Sequence, residues 1–139
     1  GVRPFVSREL IDRVLNAAHE CGAAIPVIPV VDTLKRADKV QKIDEGSCFI
    51  SINNGTVDRN GLFHAQTPQI FELNMILDAH IANVNSKENI TDDASLLEIM
   101  EKKVLMVRGD KFNIKITEKE DMEFASYILK SKIEFKIKW

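Results

Sequence analysis

Apolar positions follow a helical period soon after the chain begins. Leu10, Ile11, Val14, Leu15 and Ala18 recur at spacings of three and four. Ser7 stands where an N-cap belongs and Gly22 where a left-handed stop belongs, so the pattern predicts a helix over residues 8–21. The run Ala23-Ala24-Ile25-Pro26-Val27-Ile28-Pro29-Val30-Val31 is short, apolar and β-branched, which predicts a buried strand. Its prolines each remove a ladder donor. Residues 32–56 are polar and read as an extended arm with hairpin character. Cys48-Phe49-Ile50-Ser51-Ile52 forms a strand candidate there, and Asn53-Asn54-Gly55 a turn. Such an arm buries little by itself and is expected to pack against a partner.

The second half alternates in the same way. Residues 62–66 read as a short strand, and Pro68 suits the first turn of a helix. Ile70, Leu73, Ile76, Leu77, His80 and Ile81 carry that helical period to about Ala82. Thr91 reads as the cap of another helix, with Asp92 and Asp93 near its positive end and Leu96, Leu97, Ile99 and Met100 on its apolar side. Residues 104–107 and 113–116 are strand candidates around the turn Arg108-Gly109-Asp110. Thr117-Glu118-Lys119-Glu120 has the form of a capping box. It opens a last amphipathic helix through Met122, Ala125, Ile128 and Leu129; residues 133–139 alternate weakly, as a strand or a loose end. Helices alternating with short apolar strands predict an α/β fold, with a mainly parallel sheet covered on both faces.

Composition narrows the function. A chain of 139 residues fits one domain. Its net charge of −2, from 19 basic and 21 acidic residues, lacks the basic excess of a nucleic-acid binder. No apolar run reaches the roughly 18 residues of a membrane span, and no signal peptide is visible. Cys21 and Cys48 form no metal-binding spacing and read as reduced thiols in a reducing compartment.

The sequence contains neither a Walker loop nor a G-x-G-x-x-G. His19 and His80 fall within predicted helices and read as surface or boundary residues; His64 has no Ser or Cys partner in sight. What remains is a set of cations and hydroxyls at the ends of elements: Arg3, Thr33, Lys35, Arg36, Arg59, Thr67, Thr91 and Lys115. Guanidinium forks, an ammonium and helix-terminal donors are the chemistry of phosphate recognition. Singly, Thr91 is also a plain cap, and Arg3, Arg36 and Arg59 are also plain surface charges. Lys115, between Ile114 and Ile116, is either an exposed-face lysine or a site residue near a strand end.

The local strings go further. Gly1-Val2-Arg3-Pro4-Phe5-Val6, Val31-Asp32-Thr33-Leu34-Lys35-Arg36, Thr56-Val57-Asp58-Arg59-Asn60-Gly61-Leu62, His64-Ala65-Gln66-Thr67-Pro68-Gln69, Thr91-Asp92-Asp93-Ala94-Ser95 and Asn113-Ile114-Lys115-Ile116-Thr117 occur in this order. Together they resemble the 2-C-methyl-D-erythritol 4-phosphate cytidylyltransferase family, from Gly1 to about Leu129.

The resemblance implies a Rossmann-like nucleotidyltransferase fold with a protruding β-arm, here at about residues 32–60, through which two copies form a homodimer. It implies transfer of CMP from CTP to 2-C-methyl-D-erythritol 4-phosphate with release of pyrophosphate, in the non-mevalonate isoprenoid pathway. Mg²⁺ or another divalent metal is the expected cofactor, and the location is cytoplasmic in bacteria or plastid. By position, the resemblance assigns Arg59 and Lys115 to positioning the acceptor for attack. It assigns Arg3, Thr33, Thr67 and Thr91 to the substrate site, with Thr33 and Arg59 reaching the partner copy. The family's Gly-rich CTP loop and a metal-binding Asp lie upstream of the position matching Gly1. This chain is therefore expected to be the C-terminal portion of such an enzyme, lacking about 100 residues and inactive alone, with an apolar sheet face left open. A sister cytidylyltransferase acting on ribitol 5-phosphate is the alternative enzyme. A fragment that only dimerises is the alternative without catalysis.

Overall fold

The computed structural model describes residues 2–37, 39–43, 46–50, 55–84 and 90–137; for 39–43, 46–50 and 132–137 the backbone alone is described. The chain divides into two compact units, one made of Gly1–Ile28 with Ala65–Trp139 and the other of Pro29–His64.

The first unit begins with helix α1, Arg8–Cys21, bounded as its pattern predicts. The Ser7 hydroxyl accepts from Leu10 N at 3.1 Å. Gly22 closes the helix at φ 85°, its N–H on Ala18 O at 2.7 Å. A Cβ there would lie 2.6 Å from Met75 Cε, so glycine is needed for space as well as for φ.

Strand β1, Ala23–Pro29, follows directly and is the buried centre of a sheet. Its side chains alternate between two cores, as a pleated strand requires. Ala24 packs with Leu10, Val14 and Ala18 of α1. Ala23, Ile25 and Val27 face the other way, toward Ala79, Ala94, Leu96 and Leu97. Helices thus cover both faces, as expected of the α/β class.

Two features of the sheet depart from the sequence pattern. Residues 70–71 belong to a strand, not to a helix starting at Pro68. Ile70–Phe71 pairs antiparallel with β1, Ala23 opposite Phe71 and Ala24 opposite Ile70, just after a cis Thr67–Pro68 bond. The helix begins later, at Leu73–Asn83, once the Glu72 carboxylate caps Asn74 N and Met75 N at 3.0 and 2.8 Å. Sheet pairing took the first apolar residues of what read as one helical period. The sheet is accordingly mixed: Leu105–Arg108 pairs parallel with β1 from Ala24↔Leu105 to Val27↔Arg108, while Ile70–Phe71 runs antiparallel. Phe63–Ala65 is a short strand, within the predicted 62–66.

Caps correct the sequence reading in the same manner. Asp92, not Thr91, caps the helix Asp93–Ile99, in a capping box with Ser95. Asp92 Oδ1 accepts from Ser95 N at 3.0 Å, because the carboxylate at that position reaches the third helical N–H. Residues 113–116 form no strand; Asn113 N closes a turn on Asp110 O at 3.1 Å, and Ile116 N donates to Val2 O at 2.8 Å. The last helix, Lys119–Ile137, extends past Leu129 into the residues that read as a strand or loose end, of which Lys138 and Trp139 lie outside the described residues. Its start is held by Asp121, not Glu120: Asp121 Oδ2 accepts from Thr117 N at 2.9 Å and Glu118 N at 3.0 Å.

Taken by itself, the unit Pro29–His64 is built of short antiparallel pairs. Leu34–Lys35 pairs with Thr56–Val57, and Lys39–Ile43 with Gly46–Ile50. The strand candidate 48–52 overlaps the last of these; Ser51, Ile52, Asn53 and Asn54 lie outside the described residues. No helix among the described residues is long and apolar enough to cross a membrane.

Both the packing and the caps are open to measurement. Leu97 is completely buried against both β1 and α-helical neighbours. Leu97→Ala is expected to cost about 2–5 kcal/mol in chemical denaturation; a loss within experimental error of zero would mean that this core does not form. The Glu72 and Asp121 carboxyls are held below their ordinary range by the backbone N–H groups that they cap. A carboxyl with a depressed folded pKa stabilises fully above its unfolded value and loses that contribution as pH falls through the lower folded value. Acid titration followed by circular dichroism should therefore show helix loss beginning below about pH 4, with a smaller acid-dependent part in Glu72→Ala.

Candidate functional site

The site grows from two buried amides. Gln66 is 4% exposed and Asn113 0%; among the described residues they are the buried polar side chains. A buried amide without partners is costly, so each has to find them. Gln66 brackets Asp110: its Nε2 donates to Asp110 O at 2.8 Å and its Oε1 accepts from Asp110 N at 3.1 Å. That side chain stands in for a strand partner. Asp110 then starts a tight turn, with Asn113 N on Asp110 O at 3.1 Å and Phe112 N on Asp110 Oδ1 at 2.8 Å. The turn carries Asn113 back to the strand end, where its Nδ2 donates to Thr67 O at 2.8 Å. Arg3 Nη1 donates to Asn113 O at 2.5 Å.

Four distant stretches of sequence meet at one cavity of about 280 Å³. Arg3 comes from the lead-in to α1, Thr67 and Gln69 from the cis-proline segment, Thr91 and Asp92 from the start of a helix, and Lys115 from the stretch after the 110–113 turn. Burial pushes the Arg3 guanidinium pKa down by desolvation. Arginine nevertheless stays charged in proteins. Arg3 and Lys115 therefore present cations to the cavity beside one carboxylate, Asp92, which is engaged by Gln69 Nε2 at 2.7 Å as well as by the helix start. Threonine hydroxyls on the same wall add neutral donors. Such a lining suits a phosphate joined to a hydroxylated body. A second, more apolar hollow of about 330 Å³ shares Val2, Arg3 and Thr67 and is otherwise walled by Val6, Ile11 and Pro68.

Of the residues that the sequence singled out, Arg3, Thr67, Thr91 and Lys115 line this one cavity. Thr33 and Arg59 do not; both belong to the unit Pro29–His64, where Thr33 is exposed and Arg59 donates to Val31 O. The sequence reading missed Gln66, Gln69, Asp92 and Asn113 as working residues. All four lie in the quoted strings, next to or near a residue that was named; the three amides carry no charge to draw attention, and Asp92 was read only for its place near a helix start. His80 is an exposed partner of Asp93 at 3.2 Å, as a surface histidine should be. Cys21 carries a free thiol. Among the described residues no group of three or more His, Cys, Asp or Glu is placed to hold a metal ion.

Comparison with known proteins is consistent throughout. The family model for 2-C-methyl-D-erythritol 4-phosphate cytidylyltransferase, IspD, matches residues 1–131. The enzyme of that name from Geobacillus kaustophilus is 41% identical over 133 residues, covering 96% of this chain and 54% of the relative. The one from Shouchella clausii is 40% identical over 132 residues, covering 95% and 53%. The chain thus spans about half the length of the curated relatives that it matches. Among solved structures, that of the Thermus thermophilus enzyme superposes with a TM-score of 0.75 at 35% identity, over 91% of this chain and 57% of that one. The 4-diphosphocytidyl-2C-methyl-D-erythritol synthase of Anaerococcus prevotii gives 0.74 at 34%, over 93% and 55%. The likeness establishes the Rossmann-like nucleotidyltransferase fold for the residues it covers.

The bracket around Asp110 makes a direct prediction. A Cβ on Gly109 would lie 2.5 Å from Gln66 Oε1 and 3.0 Å from Val27 O. Gly109→Ala is expected to lower stability by about 1–3 kcal/mol, read as a fall in the thermal midpoint. An unchanged midpoint would show that Gln66 does not occupy this place.

Proposed function

The chain belongs to the 2-C-methyl-D-erythritol 4-phosphate cytidylyltransferase family, and from that premise we propose that it carries the acceptor-phosphate side of a CTP-dependent cytidylyltransferase, corresponding to the C-terminal portion of such an enzyme. The observation that supports this most is the convergence of Arg3, Thr67, Thr91 and Lys115 on one cavity. The first and last of these are cationic and come from opposite ends of the sequence.

The acceptor is 2-C-methyl-D-erythritol 4-phosphate. One of its phosphate oxygens attacks the α-phosphorus of CTP, a new P–O bond forms, and the bond to the β-phosphate oxygen breaks, releasing pyrophosphate. The acceptor phosphate and the α-phosphate are both anionic. The chemical task of this chain is therefore to hold the attacking phosphate against that repulsion and in line with the leaving group. Lys115 and Arg3 supply the positive charge, and Thr67 and Thr91 supply hydroxyls that orient the phosphate and the polyol. Arg59 and Thr33 are the contribution of the arm, about residues 32–60, to the site of a second copy in a homodimer. A divalent metal assists the reaction as expected of the family. No group of three or more His, Cys, Asp or Glu placed to hold it occurs among the described residues.

Binding and turnover give separate tests. Calorimetric titration of the chain with 2-C-methyl-D-erythritol 4-phosphate is expected to show binding that Lys115→Ala weakens by about tenfold or more, with an unchanged circular dichroism spectrum. In the full-length protein, Arg59→Ala and Lys115→Ala are expected to lower kcat/KM by roughly a hundredfold or more. Normal rates in either variant would remove that residue from the role given to it. Faster formation of CDP-ribitol from ribitol 5-phosphate than of the methylerythritol product would reassign the acceptor.

A further inference from the structure

The two buried amides do more than satisfy themselves. We infer that Asn113 and Gln66 are positioning residues for the acceptor site, a buried amide clamp that fixes Arg3, Thr67 and Lys115 relative to one another. This rests on the acceptor-phosphate reading for what the clamp serves, and on the hydrogen bonds alone for its existence.

The bonds of Asn113 divide between the two walls. Its side chain holds Thr67 through the carbonyl of that residue at 2.8 Å, while its own carbonyl holds the Arg3 guanidinium at 2.5 Å. One completely buried residue therefore spans the cis-proline segment and the N-terminal lead-in, both of which line the cavity. Lys115 follows two residues later. Beyond it, Ile116 N is tied to Val2 O at 2.8 Å. The stretch bearing Lys115 is thus attached to residues 2–3 on both sides of the lysine, although it forms no strand. Gln66 sets where this begins. It fixes Asp110 by two bonds, adds a longer contact to Asn113 O at 3.5 Å, and is itself fixed to β1 through Gln66 N on Pro26 O at 2.8 Å.

The chemistry explains why amides occupy both positions. Gln66 must donate and accept at once from one planar group, facing a backbone carbonyl and a backbone N–H of the same residue. Asn113 must donate to Thr67 O; its Oδ1 is buried without a hydrogen-bond partner among the described residues. A carboxylate at either place would point an acceptor at Asp110 O or Thr67 O, and an apolar side chain would leave these carbonyls unmatched. The arginine gains a second benefit. A guanidinium that loses water on burial needs a compensating acceptor, and the Asn113 carbonyl provides one without adding negative charge beside an anion site.

The test compares Asn113→Ala and Gln66→Glu with wild type by two readouts. One is NMR-detected hydrogen exchange of the Arg3 Nε–H in the free protein, a buried group shielded from water. The other is the dissociation constant for 2-C-methyl-D-erythritol 4-phosphate, each variant referred to wild type at the same pH. Asn113→Ala is expected to keep a cooperative thermal transition, to exchange at least about tenfold faster at Arg3, and to bind roughly 10- to 100-fold more weakly. Gln66→Glu is expected to bind weakly while the introduced carboxyl is ionised and to recover as pH falls, because the protonated acid can donate to Asp110 O as the amide does. A purely structural role would lower stability without that pH-dependent recovery. If Asn113→Ala does not fold, the pH profile of Gln66→Glu decides. Exchange and affinity equal to wild type in the folded variants, or no recovery on protonation, overturn the inference. A wild-type chain with a protected Arg3 Nε–H that binds no polyol phosphate overturns the acceptor reading, and the exchange data then judge the clamp alone.

Discussion

The need of buried amides for partners is the constraint on which the site depends. Gln66 and Asn113 sit where water does not reach, and an unmatched amide there costs several times what a matched one contributes. Once the partners are fixed, little freedom remains. Asp110 must lie against Gln66, the 110–113 turn must close, and Asn113 must meet both Thr67 and Arg3. Gly109 is drawn in by the same logic, since only a residue without a Cβ fits between Gln66 Oε1 and Val27 O. A loop with no regular secondary structure is thereby tied by hydrogen bonds at both ends of the stretch that carries Lys115.

The sheet supplies the floor for this arrangement. β1 buries both of its faces, one against α1 and the other against the two following helices. Two strands paired with it border segments that bear the site: Ile70–Phe71 follows Thr67 and Gln69, and Leu105–Arg108 leads into the turn before Lys115. Pro26 cannot donate to a ladder, but its carbonyl remains free to take Gln66 N. A residue that weakened the strand reading at the level of sequence is thus the point where the clamp is anchored to the sheet.

Much of this was legible in the sequence, for identifiable reasons. Ser7, the apolar period and Gly22 act locally, so α1 could be bounded to the residue. The two-sided burial of β1 followed from an uninterrupted apolar run. The failures came where a distant partner decided. Ile70 and Phe71 continued a helical pattern, yet β1 claimed them as a strand. Thr91 and Asp92 are both good caps, and the carboxylate won because it also reaches Ser95 and Gln69. Residues 113–116 alternate like a strand but are held by side chains and by Val2. For the candidate site, charge and hydroxyl chemistry pointed to eight residues, of which Arg3, Thr67, Thr91 and Lys115 line one cavity, while the neutral amides bonded to Arg3, Thr67 and Asp110 gave no signal from residue type. The roles of Thr33 and Arg59 rest on resemblance to the family.

The cavity bounded by Arg3, Thr67, Thr91 and Lys115 is proposed to receive the phosphate of an acyclic polyol phosphate. A crystal structure of the protein with 2-C-methyl-D-erythritol 4-phosphate bound addresses it most directly. The phosphate is expected in contact with Lys115 Nζ and the Arg3 guanidinium, with Gln66 and Asn113 unmoved. A phosphate bound elsewhere on the chain, with this cavity filled only by water, would contradict it.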